Sequence, residues 1–145
     1  MPQASLGADI IVGFPEETAE DFSLLHDFLQ ASPLTYIHVF PYSPRLNTPA
    51  ARMPQVPEAV KKERASVLRT LAAKKNLQFR RSFLGHKLEG IVIKRKDGRA
   101  EVLTDNYLKI LVPAGGMIKR QRLEVRINSV SEQETGGEIV VSPQL

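Results

Sequence analysis

The chain has 145 residues, 42% hydrophobic and 25% charged, with no cysteine; this is a globular composition with room for one ordinary domain or two small ones. The missing cysteines exclude disulfides, thiolate zinc sites and any cysteine-held iron–sulfur cluster within the chain, and no apolar run approaches the roughly 20 residues that span a membrane. The net charge of +4 is divided unevenly: residues 1–55 hold two basic and six acidic side chains (−4), and residues 56–145 hold eighteen basic and ten acidic (+8).

That split points to two parts with different work, the second being the candidate for a polyanionic partner. Met1-Pro2-Gln3-Ala4-Ser5 has no basic, signal-like character, so a cytoplasmic location is expected. His26, His38 and His86 stand apart from one another, in no metal-ligand spacing.

Taken in chain order, Ala8-Asp9-Ile10-Ile11-Val12-Gly13 is a short β-branched run ending in glycine, the pattern of a strand buried on both faces. Thr18 is placed to cap a helix, with Glu20 and Asp21 in the first turn favouring its positive end. Phe22, Leu25, Phe28 and Leu29 give that helix an apolar stripe, and Ser32-Pro33 should end it. Thr35–Phe40 reads as a second strand, completing a βαβ unit. The five prolines between Pro41 and Pro57 predict a loop without regular structure.

Pro57 can open a helix, expected over Glu58–Arg81. Val60, Val67, Leu68, Leu71 and Leu77 form its apolar side, and Lys61, Lys62, Arg64, Arg69, Lys74, Lys75, Arg80 and Arg81 surround it, about half of them as a solvated face. Gly85 should end this region. Beyond it the pattern turns to short strands, over Lys87–Lys94 (core at Leu88, Ile91 and Ile93), Arg99–Leu103, Tyr107–Val112, Arg122–Val130 and Gly137–Val141, with a hairpin turn at Lys96-Asp97-Gly98. Five short strands in about sixty residues predict a small OB-like β-barrel. The fold class is therefore α/β plus all-β.

Two segments resemble the radical-SAM tRNA methylthiotransferases. Asp9-Ile10-Ile11-Val12-Gly13-Phe14-Pro15-Glu16-Glu17-Thr18, with Glu20-Asp21-Phe22 after it, is similar to a late strand and turn of their catalytic barrel. His38-Val39-Phe40-Pro41-Tyr42-Ser43-Pro44-Arg45, with Thr48-Pro49-Ala50, is similar to the next strand and loop. The long basic helix and following strands, with Thr104-Asp105-Asn106-Tyr107, resemble the linker and TRAM domain that close those enzymes, so the resemblance covers nearly the whole chain and is nearest the MtaB-type branch. Two departures stand out. Glu16 replaces the second glycine of the family's Gly-Phe-Pro-Gly-Glu-Thr turn, and Leu46-Asn47 stand where Pro-Gly is usual.

The resemblance implies a βαβ remnant of a partial TIM-like barrel over residues 1–56, a linker helix over 57–84 and a TRAM RNA-binding domain over 85–142. It implies S-adenosylmethionine and [4Fe-4S] clusters as cofactors of the full-length family, although this chain lacks the cluster cysteines and is expected to be inactive alone. Ile11, Gly13, Phe40, Tyr42, Ser43 and Arg45 are the expected cofactor-binding residues, and no residue is expected as catalytic acid, base or nucleophile. Arg80, Arg81, Lys94, Arg95, Lys96, Arg99, Lys119, Arg120 and Arg122 are expected to meet RNA phosphates, with Tyr107 stacking an unpaired base. The implied partner is tRNA at its anticodon stem-loop, and the implied reaction is methylthiolation of a modified adenosine such as N6-threonylcarbamoyladenosine. The alternative is a free-standing TRAM-type RNA-binding module without catalysis.

Overall fold

The computed structural model describes residues 3–116 and 118–140. Contacts divide the chain into two compact units, one running Ser5–Asn76 and the other made of Met1–Ala4 and Leu77–Leu145.

In the first unit, β1 (Gly7–Val12) and β2 (Tyr36–Pro41) form a parallel pair in the register Ile10↔Val39 and Ile11↔Phe40. The connecting helix α1 (Ala19–Ala31) begins with a reciprocal cap: Thr18 Oγ1 accepts from the Asp21 N–H at 3.1 Å, and Asp21 Oδ2 accepts from the Thr18 N–H at 2.9 Å. The Thr18 N–H and the Thr18 hydroxyl, which donates to Asp21 Oδ2 at 2.7 Å, together hold the Asp21 carboxyl below its usual range. The last turn of α1 contains no basic residue; Lys75 supplies the cation instead, its Nζ donating to the carbonyls of Gln30 at 3.0 Å and Ser32 at 2.7 Å.

The core of this unit joins Val12, Leu29 and Val39 to Ala65, Leu68 and Leu71 of α2 (Glu58–Arg81). Each fully buried aliphatic side chain contributes roughly 1.5–3 kcal/mol. The first part of α2 is thus a packing element of the βαβ unit as well as a connection. The stripes differ from expectation in three places. Phe28 and Val67 are exposed, and Lys61 is buried in the row that continues through Ala65 and Leu68. Contrary to the two-sided burial expected of β1, Ile11 is 57% exposed, because α1 and α2 cover one face and only β2 pairs with β1 among the described residues. The proline-rich loop contains one regular turn, a 3-10 turn over Pro49–Arg52 capped by Thr48.

In the second unit, β3 (Lys87–Lys96), β4 (Arg99–Thr104), β5 (Lys109–Pro113), β6 (Arg122–Val130) and β7 (Thr135–Ile139) close into a barrel in the order β3-β4-β5-β7-β6. Four of its ladders are antiparallel and the β5–β7 contact is parallel. Val92, Val102, Ile110, Val125 and Ile127 fill it. Phe79 and Phe83 meet edge to face with centroids 5.0 Å apart, Phe83 being buried in the barrel core. Closure gives every one of these five strands a neighbour on both sides.

The expected core of β3 is corrected by one parity. Leu88, Gly90 and Val92 point inward, whereas Ile91 points outward and Ile93 sits at a bulge between Val92 and Lys94. Side chains alternate strictly along a strand, so Leu88 cannot share a face with Ile91. The Asp97-Gly98 turn has the left-handed angles of its type, φ +51° and +74°. Val141 and residue 142, expected in the last strand and domain, lie outside the described residues.

Candidate functional site

The first candidate site is the uncovered face of the β1–β2 pair. Strand alternation puts Asp9 and Ile11 on this face beside Tyr36, His38 and Phe40. Ile11 and Phe40 are register partners, 57% and 50% exposed, and together form an apolar wall. The rings of Tyr36, His38 and Phe40 run along β2, with centroids 4.9 Å and 6.3 Å apart.

The expected residues beyond the strands are placed differently. Gly13 has φ +75°, and a Cβ there would lie 2.5 Å from Cγ of Lys61. The glycine is therefore required by close packing on α2, whatever ligand is nearby. Its N–H donates to Glu17 Oε2 at 2.8 Å. Arg64 Nη1 donates to Glu17 Oε1 at 2.6 Å and to the Glu17 carbonyl at 3.0 Å. This charge-assisted pair, mostly buried on both sides, ties the strand-ending turn to α2. Lys61 is 1% exposed, reaches Glu58 Oε1 at 2.8 Å and lies 5.6 Å from the centre of the Tyr42 ring. Tyr42 also packs edge-on against Phe14. Ser43 and Arg45 are exposed in the following loop, where the Arg45 carbonyl accepts from Thr48.

Ile11 and Phe40 are thus brought together, Gly13 and Tyr42 belong to a packed turn, and Ser43 and Arg45 stand apart. Sequence reasoning missed Glu17, Lys61 and Arg64 as a group. The available signal was spacing: Lys61, Ala65 and Leu68 recur on one helical stripe, which marks Lys61 as inward-facing.

Both departures from the family pattern take the conformation a glycine would. Glu16 has φ +66° and Asn47 φ +65°. Asparagine visits this region readily, whereas glutamate does so at a cost of about 1 kcal/mol or more. The Glu16 N–H donates to the Pro54 carbonyl at 3.2 Å, which helps hold the turn.

The second candidate site is the barrel surface. Lys94, Lys96 and Arg99 line a groove of about 370 Å³ with Asp97 and Glu101. Within this region Lys96 lies 3.8 Å from Asp97, and Arg99 pairs with Glu134 at 3.2 Å. Arg95 reaches the Gly115 carbonyl only at 3.5 Å, and the side chains of Lys119 and Arg120 are exposed.

A larger groove of about 670 Å³ brings Tyr107 and Arg122 together with Ile91, Leu103, Glu89, Asp105 and Glu124. Tyr107 is 78% exposed and does not pack in the barrel. Arg81 is exposed on α2. Arg80 is committed to the β6–β7 turn, donating to the carbonyls of Ser131 at 2.8 Å and Glu132 at 3.1 Å and to Thr135 Oγ1 at 3.2 Å. Partial burial, with Arg81 beside it, lowers its pKa from the ordinary arginine value.

These features define a protein class: a parallel βαβ fragment with an uncovered apolar wall, joined in sequence to a closed OB-like barrel with cationic turns. No family model matches the sequence. The chain is 42% identical over 110 residues to the threonylcarbamoyladenosine tRNA methylthiotransferase MtaB of Aquifex aeolicus, covering 75% of this chain and 26% of that protein. It is 35% identical over 143 residues to the tRNA-2-methylthio-N(6)-dimethylallyladenosine synthase of Protochlamydia amoebophila, covering 96% of this chain and 32% of that protein. It is 44% identical over 93 residues to a ribosomal protein uS12 methylthiotransferase RimO of Thermus thermophilus, covering 63% of this chain and 21% of that protein. The chain belongs to the methylthiotransferase family, and it spans about a fifth to a third of the length of these relatives.

Proposed function

We propose that this chain is the C-terminal part of a tRNA methylthiotransferase, contributing one wall of the S-adenosylmethionine pocket and the RNA grip of the TRAM domain. The observation that carries this reading is the similarity to a tRNA-modifying methylthiotransferase over 96% of the chain, across both compact units. Two relatives, 42% and 43% identical over 110 and 113 residues, are named for threonylcarbamoyladenosine, so N6-threonylcarbamoyladenosine beside the anticodon is the proposed substrate. The boundaries 1–56, 57–84 and 85–142 are proposed as barrel segment, linker helix and TRAM domain.

The implied cofactors fit this chain unequally. A thiolate-held [4Fe-4S] cluster does not fit, because the sequence contains no cysteine. Among the described residues, no three His, Asp or Glu side chains gather to hold a metal ion. The cluster's ligands belong to parts of the family's sequence that this chain does not contain. S-adenosylmethionine does fit the uncovered wall, where Ile11 and Phe40 would border its adenine and exclude water. When bound, it would supply the methyl group. Glu17 and Arg64 hold the adjoining turn in place.

No helix of the described residues is long and apolar enough to cross a membrane. Lys94, Arg95, Lys96, Arg99, Lys119, Arg120 and Arg122 would neutralise tRNA phosphates. The test is fluorescence anisotropy with an anticodon stem-loop RNA. Simultaneous charge reversal of Lys94, Arg95 and Lys96 should weaken binding at least tenfold, and unchanged affinity would overturn the assignment of that turn to RNA.

A further inference from the structure

We propose that the outer face of β3, β4 and β6 is a pocket for one unpaired RNA base bearing an exocyclic amino group; this specificity site rests on the RNA grip proposed above. The strand register builds it. Ile91 lies opposite Leu103 on β4 and Arg122 on β6, and Glu89 lies opposite Glu124. All five side chains point away from the buried row of Leu88, Gly90 and Val92. A Cβ on Gly90 would come within 2.5 Å of Val102 Cγ1 and 2.8 Å of the Leu103 carbonyl, so glycine lets β3 approach β4 closely beneath the groove.

Two features of this groove work against the stability of the barrel. Tyr107 has φ +62°, a region costly for a large side chain, and turns its ring to solvent. The turn that holds it there is firmly tied. The Thr104 N–H donates to the Leu108 carbonyl at 3.0 Å, the Tyr107 N–H to the Thr104 carbonyl at 3.1 Å, and the buried Thr104 hydroxyl to Asn106 Oδ1 at 2.6 Å. The second feature is Glu89 facing Glu124 across antiparallel strands, where like charges repel. Glu124 has Lys87 at 3.7 Å, and the Glu89 side chain has no ion pair or hydrogen bond among the described residues.

A common ligand accounts for both features. The Tyr107 ring, with Ile91 and Leu103, offers apolar surface to a flat aromatic group. Ionised carboxylates only accept hydrogen bonds, so the edge of that group must donate N–H. Cytosine and adenine present such an amino group, whereas uracil presents a carbonyl in the corresponding place. Arg122 at the rim is suited to the attached phosphate. A cationic peptide would also suit the carboxylates, but Lys94, Arg95 and Lys96 continue the same strand and favour a polyanion.

The experiment measures the Kd of the whole chain for five-nucleotide single-stranded RNAs by anisotropy, comparing all-uridine with uridine carrying one central cytidine or adenosine. The amino-bearing RNAs should bind more tightly. Tyr107→Gly should weaken their binding on the order of tenfold while raising Tm, because glycine relieves the left-handed backbone. Tyr107→Phe should leave both near the original values, and Glu89→Gln should narrow the preference for cytidine over uridine. Equal affinity for all the RNAs, or a Tyr107→Gly variant that binds as well as the original chain, overturns the pocket. So does an arginine-rich peptide that quenches Tyr107 fluorescence where RNA does not. If charge reversal at Lys94, Arg95 and Lys96 weakens every RNA while Tyr107→Gly changes none, the grip stands and the pocket falls. No binding of any RNA overturns both.

Discussion

The two compact units solve the same problem, burial of a β-sheet, in opposite ways. The barrel closes on itself, so the inward row of each strand meets other inward rows and its polar outer face is left for contact with solvent or ligand. The βαβ unit has only two strands, covered on one face by α1 and α2, and its other face keeps Ile11 and Phe40 exposed. Charge follows the same division. Basic side chains of the barrel lie mostly at exposed turns, whereas those of α2 beside the βαβ unit are used internally, Lys61 in packing, Arg64 on Glu17 and Lys75 on the end of α1. A lysine or arginine count therefore marks an interface only where the side chains are not already spent on structure.

That comparison can be broken from either side. In the barrel, Ile110→Ala should cost about 2–5 kcal/mol, the range for a large-to-small change in a filled core, measured by urea denaturation. Phe40→Ala on the uncovered wall should change stability by less than about 0.5 kcal/mol. In the βαβ unit, Arg64→Ala leaves Glu17 mostly buried and unpaired, and should cost about 3 kcal/mol; a value near zero would mean that the turn is not held by this pair.

A smaller loss than that of Arg64→Ala is expected at the α1 cap. Thr18→Ala should cost about 1 kcal/mol. Because Asp21 has a lowered pKa when folded, the folded chain binds its proton less readily than the unfolded chain. Its contribution is therefore complete above the unfolded value of about 4 and fades as pH falls toward the folded value. Asp21→Asn should remove that acid-side loss from a pH series of Tm, and an unchanged series would contradict the cap's role.

Much of the fold was legible because local signals agreed with tertiary demands. Thr18 caps α1, Glu58–Arg81 forms α2 with those bounds, and Asp97-Gly98 turns β3 into β4. Errors arose where a side chain's surroundings, more than its type, decided its place. Ile91 is as apolar as Leu88 but has the wrong parity for the core, and Lys61 is charged yet fills a gap against Gly13. The candidate sites were legible in the same measure. The pairing of Ile11 with Phe40 follows from two recognisable strands, whereas the tie among Gly13, Glu17 and Arg64 depends on helix–turn packing that spacing only hints at.

The most direct measurement is the salt dependence of binding between this chain and an unmodified tRNA anticodon stem-loop. With six exposed cations at Lys94, Arg95, Lys96, Lys119, Arg120 and Arg122, the logarithm of the association constant should fall against the logarithm of salt concentration with a slope of about −3 or steeper. A flat dependence, or no binding at low salt, would contradict a cationic barrel built to hold RNA.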